Sequence, residues 1–172
     1  HKMKYIVTFL DYWHLSSGLT SGSKLDSTVV KDKDGLPFIP GKTIKGLLRE
    51  QSINKDFIEK CFGEEGNIIG ECYFTNIEIE DNTRKTIIEN KLQNQLLSEI
   101  ASTKIDENGI AQTGSLREIE VVIPISLYGK IENIPTEYKD EMKNCLKKVK
   151  RMGLNRNRGL GRCVIEIEGE FN

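Results

Sequence analysis

The sequence predicts an α+β fold made of a single domain over residues 1–172, with elements in the order strand, helix, strand, strand, helix, strand. Three observations carry this reading. A β-branched apolar run lies near the start, two later segments alternate apolar and polar residues at every second position, and two stretches repeat apolar residues at helical spacing.

The elements follow in order. KYIVTFL, Lys4 to Leu10, has a strand's length and reads as buried on both faces. A polar, glycine-containing loop then runs from Asp11 to Pro40. KTIKGLLREQS sets Ile44, Leu47 and Leu48 on one face and Lys42, Lys45 and Arg49 elsewhere, which predicts a short amphipathic helix. In YFTNIEIE the residues Tyr73, Thr75, Ile77 and Ile79 share one side, and in REIEVVIPISLYG Ile119, Val121, Ile123, Ile125 and Leu127 do the same. Both predict strands half exposed to water, with an edge or bulge at Pro124, which cannot donate to a ladder.

Residues 81–116 between them are polar and too long for a plain hairpin turn, and one helical piece is expected near Lys91 to Ile100. TEYKDEMKNCLKKVKRMG aligns Tyr138, Met142, Cys145, Leu146, Val149 and Met152 in one stripe, beginning after Pro135 and ending at Gly153, and predicts the second main helix. CVIEIEGEF supplies the last strand. This order is the split βαβ of a ferredoxin-like (RRM-like) fold.

Charged residues make up 30% of the chain and hydrophobic ones 37%, with a formal net charge of -1, a balance that points away from disorder and from a membrane span. The charge is unevenly placed. Eight basic residues and no acidic one fall between Lys143 and Arg162, a run that leads into a glycine-rich loop and suggests a phosphate-facing surface. The cysteines Cys61, Cys72, Cys145 and Cys163 stand far apart without histidines at ligand spacing, which argues for core thiols in a reducing compartment rather than a zinc site. With no stretch like a secretory leader, and with residues 1–2 read as a remnant ahead of a native start at Met3, the expected location is cytoplasmic.

GLPFIPGKT, residues 35 to 43, looks like a phosphate-binding loop but has one residue more between its glycines than the G-x-x-x-x-G-K-[ST] pattern allows. Pro37 and Pro40 also lack the N–H groups that a phosphate cradle needs. The alternative is a rigid lead into a helix start whose free N–H groups and lysines form an anion site. On that reading Lys42, Thr43, Lys45 and Arg49 contact phosphate. In LNRNRGLGR, Gly159 and Gly161 permit close backbone approach, while Arg156, Arg158 and Arg162 offer bidentate contacts to phosphate oxygens. A solvated helix start and a tight turn with surface arginines are the plainer readings of the same residues.

Four segments together resemble the RAMP superfamily, and specifically the repeated backbone subunit of type III (Csm/Cmr-type) CRISPR effector complexes. They are HLSSG, His14 to Gly18; LDSTVVKDKDGLPFIPGKTIKGLLRE, Leu25 to Glu50; CFGEEGNIIGECYF; and LNRNRGLGR, Leu154 to Arg162. The second is the most specific. Residues 81–117 then correspond to an inserted, thumb-like segment.

The resemblance implies a protein that binds the guide RNA backbone, meets target RNA, copies of itself and other effector subunits, and cleaves the paired target. It also implies that Asp26 is catalytic and binds Mg²⁺ or another divalent cation, with the RNA's own 2′-hydroxyl as nucleophile. Taken alone, a loop aspartate is more often a turn residue or helix cap, and Asp32 and Asp34 in DKDG read as a turn. His14 is an RNA contact or a loop-packing residue. No RRM-type pair of stacking aromatics stands out in the two interior strands, so recognition of RNA backbone and shape is expected, with sequence read by guide–target pairing. Two further functions remain open: a non-catalytic RNA-binding subunit, and a metal-independent guide-processing endoribonuclease that depends on His14.

Overall fold

The chain is organised around β1 (Lys2–Phe9), whose alternate residues Met3, Tyr5, Val7 and Phe9 are all but inaccessible to water. Each such side chain contributes roughly 1.5–3 kcal/mol by leaving water. The structure is a computed structural model and describes residues 1–16, 28–102, 107–110, 112–113, 117–154 and 159–172. After β1 come α1 (Gly41–Arg49), α2 (Lys55–Phe62), β2 (Gly63–Glu64), β3 (Ile68–Ile69), β4 (Tyr73–Phe74) and α3 (Asp81–Glu89). Then follow β5 (Leu97–Ser102), β6 (Arg117–Val122), β7 (Ser126–Glu132), α4 (Lys139–Lys148) and β8 (Cys163–Phe171).

The main sheet has the order β4-β7-β1-β8 and every described pairing in it is antiparallel. With α1 between β1 and β4, and α4 between β7 and β8, this is the ferredoxin-like arrangement. Ile44 and Leu48 of α1 and Met142, Cys145 and Leu146 of α4 are buried in one cluster with the inward side chains of β1. Lys4, Ile6 and Thr8, on the other face of β1, are only half-buried, so the strand is covered on one face and not, as expected, on both.

Several other expectations shift for identifiable reasons. The alternating run through Pro124 is two strands in two sheets: β6 pairs with β5 in a separate hairpin, and β7 enters the main sheet. Pro124 marks the crossover, where a missing N–H costs nothing. The helix expected near Lys91 to Ile100 is absent. Instead α3 ends at Glu89, Lys91 just beyond it takes φ 53, a 3-10 turn covers Gln93–Leu96, and β5 begins at Leu97. In Tyr73 to Glu80 the buried residues are Phe74, Ile77 and Ile79, while Tyr73 is exposed, so the phase slips by one residue at Asn76. The second main helix stops at Lys148, because Val149 turns extended and Lys150 accepts from the Cys163 N–H at 2.8 Å.

Gly129 of β7 faces Tyr5 across the strand pair, and a Cβ there would lie 2.6 Å from the Tyr5 Oη. That hydroxyl is buried without a hydrogen-bond partner, and burial pushes its pKa up. Overpacking at this contact should make Gly129→Ala less stable by about 1–3 kcal/mol in urea unfolding. Tyr5→Phe, which removes an unsatisfied buried hydroxyl, should be neutral or stabilising in the same measurement.

Candidate nucleic-acid interface

Three loops meet where β1 ends. Trp13 exchanges backbone hydrogen bonds with Val122 of β6 at 3.1 and 2.8 Å, and its ring stacks on Phe9 with centroids 4.3 Å apart. His14, next along, is fully buried. Its Nδ1 lies 2.6 Å from the Glu120 carbonyl, so that nitrogen carries the proton, while its own carbonyl accepts from the Leu154 N–H at 2.8 Å. His14 therefore ties the β1 loop to the β5–β6 hairpin and to the glycine-rich loop. Of the two roles expected for it, this geometry is that of loop packing, and its side chain has no surface to offer RNA.

The loop that carries Asp26 springs from the same junction. Residues 17–27, Asp26 among them, lie outside the described residues. Its two ends are fixed: Ser16 pairs with Val29, and the Val30 N–H donates to the Leu15 carbonyl at 2.9 Å. The Glu120 carboxylate then accepts from the Val29 N–H at 3.1 Å and from Lys31 Nζ at 2.6 Å. Glu120 thus uses its backbone for His14 and its side chain for the strand that leaves the Asp26 loop. Nothing in the alternation of REIEVV singled it out.

The DKDG turn is as expected. Asp32 Oδ1 accepts from the N–H groups of Asp34 and Leu36, and Gly35 takes φ 79. Arg84 of α3 closes it, donating to Asp32 at 2.6 Å and to Asp34 at 2.5 Å. Partial burial works to raise the Asp32 pKa, but the Arg84 hydrogen bond and the two backbone N–H groups outweigh it and hold the carboxyl below its ordinary value.

The start of α1 differs from the anion site expected there. The Gly41 N–H donates to the Asn76 side chain at 2.8 Å, and the Thr43 N–H donates to the Pro40 carbonyl at 2.9 Å. A Cβ on Gly41 would lie 2.2 Å from the Phe74 carbonyl oxygen. The glycine is there to let α1 pack against β4, and the first helical donor is used within the chain. Nothing in the alternation of YFTNIEIE singled out Asn76, which falls on the same side as Glu78 and Glu80. The basic side chains survive as a group: Lys42, Lys45 and Arg49 line one open groove of about 600 Å³ with Phe62, Ile68 and Ile69, and with the carboxylates of Glu64 and Glu65, whereas Thr43 is not among its lining residues.

The glycine-rich loop is anchored by contacts at both ends. Gly161 takes φ 74, and a Cβ there would meet the Met152 carbonyl oxygen at 1.9 Å. Its N–H donates to the Tyr12 carbonyl and its carbonyl accepts from Met152, both at 2.9 Å. So Gly161, buried, serves the chain's own packing rather than a ligand's approach. Leu160 packs with Ile119 and Val121 of the hairpin. Gly159 also has positive φ, at 87, but its added Cβ would meet open space. Arg162 holds Asp11 through Nε and Nη2, both at 3.2 Å, with its side chain 55% exposed. Arg156 and Arg158 lie outside the described residues.

The described residues thus form an α+β domain whose β1 end gathers the Asp26 loop base, a hairpin and a glycine-rich turn, with a separate basic face on α1. The sequence profile of the RAMP superfamily matches residues 6–164, and the chain belongs to that superfamily. No curated protein sequence matches it significantly. Among solved structures it is similar to a chain of the Type III-B Cmr-beta complex bound to cognate target RNA, at 12% identity and TM-score 0.72, with 97% of each chain covered. It is likewise similar to a chain of the Type III-B Cmr-beta complex in its apo state, at 13% identity and TM-score 0.66, again over 97% of each chain. At these identities the likeness is one of fold. Among the described residues no helix is long and apolar enough to cross a membrane.

Two outcomes follow from the site geometry. Gly161→Ala must displace backbone and should lose more than about 2 kcal/mol of stability in denaturant unfolding, whereas Gly159→Ala carries only its left-handed strain, about 1–2 kcal/mol. Because the folded Asp32 pKa is depressed, its contribution is present above the ordinary aspartate pKa and disappears as pH falls through the folded value. Arg84→Ala should therefore cost roughly 1–2 kcal/mol near neutral pH, with the gap from wild type closing as urea midpoints are followed into acid.

Proposed function

We propose that the chain is a repeated backbone subunit of a type III CRISPR RNA-guided effector complex, which holds the guide RNA backbone and cleaves the paired target RNA. The observation that carries this is the superfamily match across residues 6–164, on a fold shared end to end with a chain of a complex solved on its cognate target RNA. In this reading the partners are guide RNA, target RNA, further copies of the chain and other effector subunits.

The RNA contacts follow from charge. Lys42, Lys45 and Arg49 share one open groove on α1 and outnumber Glu64 and Glu65 there, and Arg156, Arg158 and Arg162, close to Gly159 in the sequence, are the second proposed station. Contacts of this kind recognise phosphate without reading sequence. Gly159, exposed and with nothing above it, leaves room for a sugar–phosphate chain.

Asp26 is the proposed catalytic residue. Among the described residues no group of three His, Cys, Asp or Glu side chains is placed to hold a metal. One carboxylate with RNA phosphate oxygens is nonetheless a donor set that Mg²⁺ accepts, since this ion keeps much of its water and needs no cage of protein ligands. When bound it would supply Lewis-acid polarisation of the scissile phosphate. The chain's part is to hold that carboxylate beside the target: the Ser16–Val29 pairing and the Glu120 contacts fix where the loop begins and ends. Attack by the 2′-hydroxyl on the adjacent phosphorus expels the 5′-oxygen, leaving a 2′,3′-cyclic phosphate and a 5′-hydroxyl.

The guide-processing alternative needs a histidine within reach of RNA, and full burial of His14 weighs against it. The test is target cleavage by assembled complexes in Mg²⁺. Asp26→Ala should abolish cleavage while leaving target binding intact, and wild-type products should end in cyclic phosphate. Cleavage at the wild-type rate by Asp26→Ala would make the chain a structural subunit only. Replacing Lys42, Lys45 and Arg49 together by alanine should weaken RNA binding and flatten its salt dependence by about 0.7 in log–log slope for each phosphate that the variant no longer neutralises.

A further inference from the structure

Two thiols stand side by side at the neck of the β2–β3 hairpin. Cys61 lies in the last turn of α2, and Cys72 leads into β4. Between them the chain runs out through β2 and back through β3, and the two segments then meet in backbone hydrogen bonds. The Glu71 N–H donates to the Lys60 carbonyl at 2.8 Å and the Cys72 N–H to the Cys61 carbonyl at 3.2 Å. Two glycines just inside the pair allow this approach. A Cβ on Gly63 would lie 2.3 Å from the Ile68 carbonyl oxygen, and one on Gly70 would lie 2.4 Å from the Phe62 carbonyl carbon. The neck is closed backbone on backbone, with one cysteine on each side of it.

The side chains meet as well. The Cys61 thiol donates to the Cys72 sulfur, and Cys72 Sγ in turn donates to the Asn133 carbonyl at 3.8 Å. The pair is asymmetric. Cys61 is 0% exposed, whereas Cys72, at 7%, is the most accessible of the four cysteines. The hydrogen bond from Cys61 holds the Cys72 thiol below its ordinary pKa against the opposing effect of burial, while the same bond, with burial, pushes Cys61 up. Cys145 and Cys163 are pushed up by burial. The thiol that ionises most readily is therefore also the one that a small oxidant can reach.

We propose that Cys61 and Cys72 form a reversible modification site, a dithiol that a small uncharged peroxide converts to a disulfide across the neck of the hairpin. The Cys72 thiolate attacks one oxygen of hydrogen peroxide. The O–O bond breaks, and the hydroxide released takes up the proton that Cys72 gave up, leaving water and a sulfenic acid on Cys72. The Cys61 sulfur then attacks Cys72 Sγ, the S–O bond breaks, and the departing hydroxide takes the Cys61 proton. Two thiols and one peroxide thus give one disulfide and two waters, with both sulfurs oxidised and both peroxide oxygens reduced. Exchange with a reducing thiol restores the pair. The loop so closed, residues 61–72, carries Phe62, Glu64, Glu65, Ile68, Ile69 and Gly70, which line the α1 groove together with Lys42, Lys45 and Arg49. A cross-link at the neck fixes that lining in place. The site does not depend on what the groove holds.

The experiment is peptide mass spectrometry on folded wild-type chain after brief exposure to hydrogen peroxide, then unfolding and alkylation. No trypsin site lies between Cys61 and Arg84, so both thiols fall in one tryptic peptide. That peptide should lose the mass of two hydrogens and resist alkylation, while Cys145 and Cys163 alkylate fully and dithiothreitol reverses the change. Further cleavage after Glu64, Glu65 or Glu71 should leave its two halves joined. Cys61→Ser should stop at a sulfenic acid on Cys72 that dimedone traps, and Cys72→Ser should leave Cys61 unreacted. The wild-type peptide decides the matter even where a serine variant fails to fold. In oxidised wild type the Glu71 and Cys72 amides should exchange hydrogen more slowly and the urea midpoint should rise. Full alkylation of Cys61 and Cys72 after peroxide overturns the proposal, as do oxidation confined to Cys145 or Cys163, a sulfenic acid that never yields the link, or a link formed only between chains. A linked chain whose hairpin amides exchange as before would overturn the claim that the disulfide fixes the groove lining.

Discussion

The candidate site depends on one constraint: three separate loops must find hydrogen-bond partners at the point where β1 leaves the sheet. Trp13 and His14 supply them. Trp13 joins the hairpin as if it were one more strand residue, and His14 spends its ring on Glu120 and its carbonyl on Leu154. A buried backbone group left unpaired costs about 1–3 kcal/mol, so these exchanges leave little freedom in where the loops lie. They also fix the residues that flank the Asp26 loop, because Glu120 reaches from the same junction to Val29 and Lys31.

Glycines in this chain divide by what stands over them. Gly41 and Gly161 would each put a Cβ into a carbonyl oxygen of the chain itself, so both serve internal packing. Gly159 alone of these three faces open space. The distinction moves the proposed phosphate contacts away from helix-start N–H groups and onto side chains, the row Lys42, Lys45 and Arg49. Lysine and arginine on a helix face bind by charge and tolerate any base, which suits the proposed role, because guides differ in sequence.

Much of the fold was legible in the sequence because the apolar periodicities of β1, α1, α4 and β8 are strong and local. What was not legible depended on partners distant in the chain. Lys91 to Ile100 reads as helical until its second half is set against β6, and Pro124 reads as an edge or bulge until two sheets are seen to meet there. The resemblance to the superfamily was carried by loop motifs, and the match over residues 6–164 bears it out. Individual site residues were harder. His14 and Gly161 have the right chemistry for RNA but are used for packing, while Glu120 and the Arg84 clamp on Asp32 and Asp34 act across long sequence separations that no local pattern announces.

The central claim is that this chain is built to hold a guide RNA by its backbone. Its most direct test is to purify the chain with its native partners from its host and sequence the RNA that comes with it. The expected result is RNA of defined length carrying CRISPR repeat sequence joined to varied guide sequence. Recovery of random cellular RNA, or of none, would contradict it.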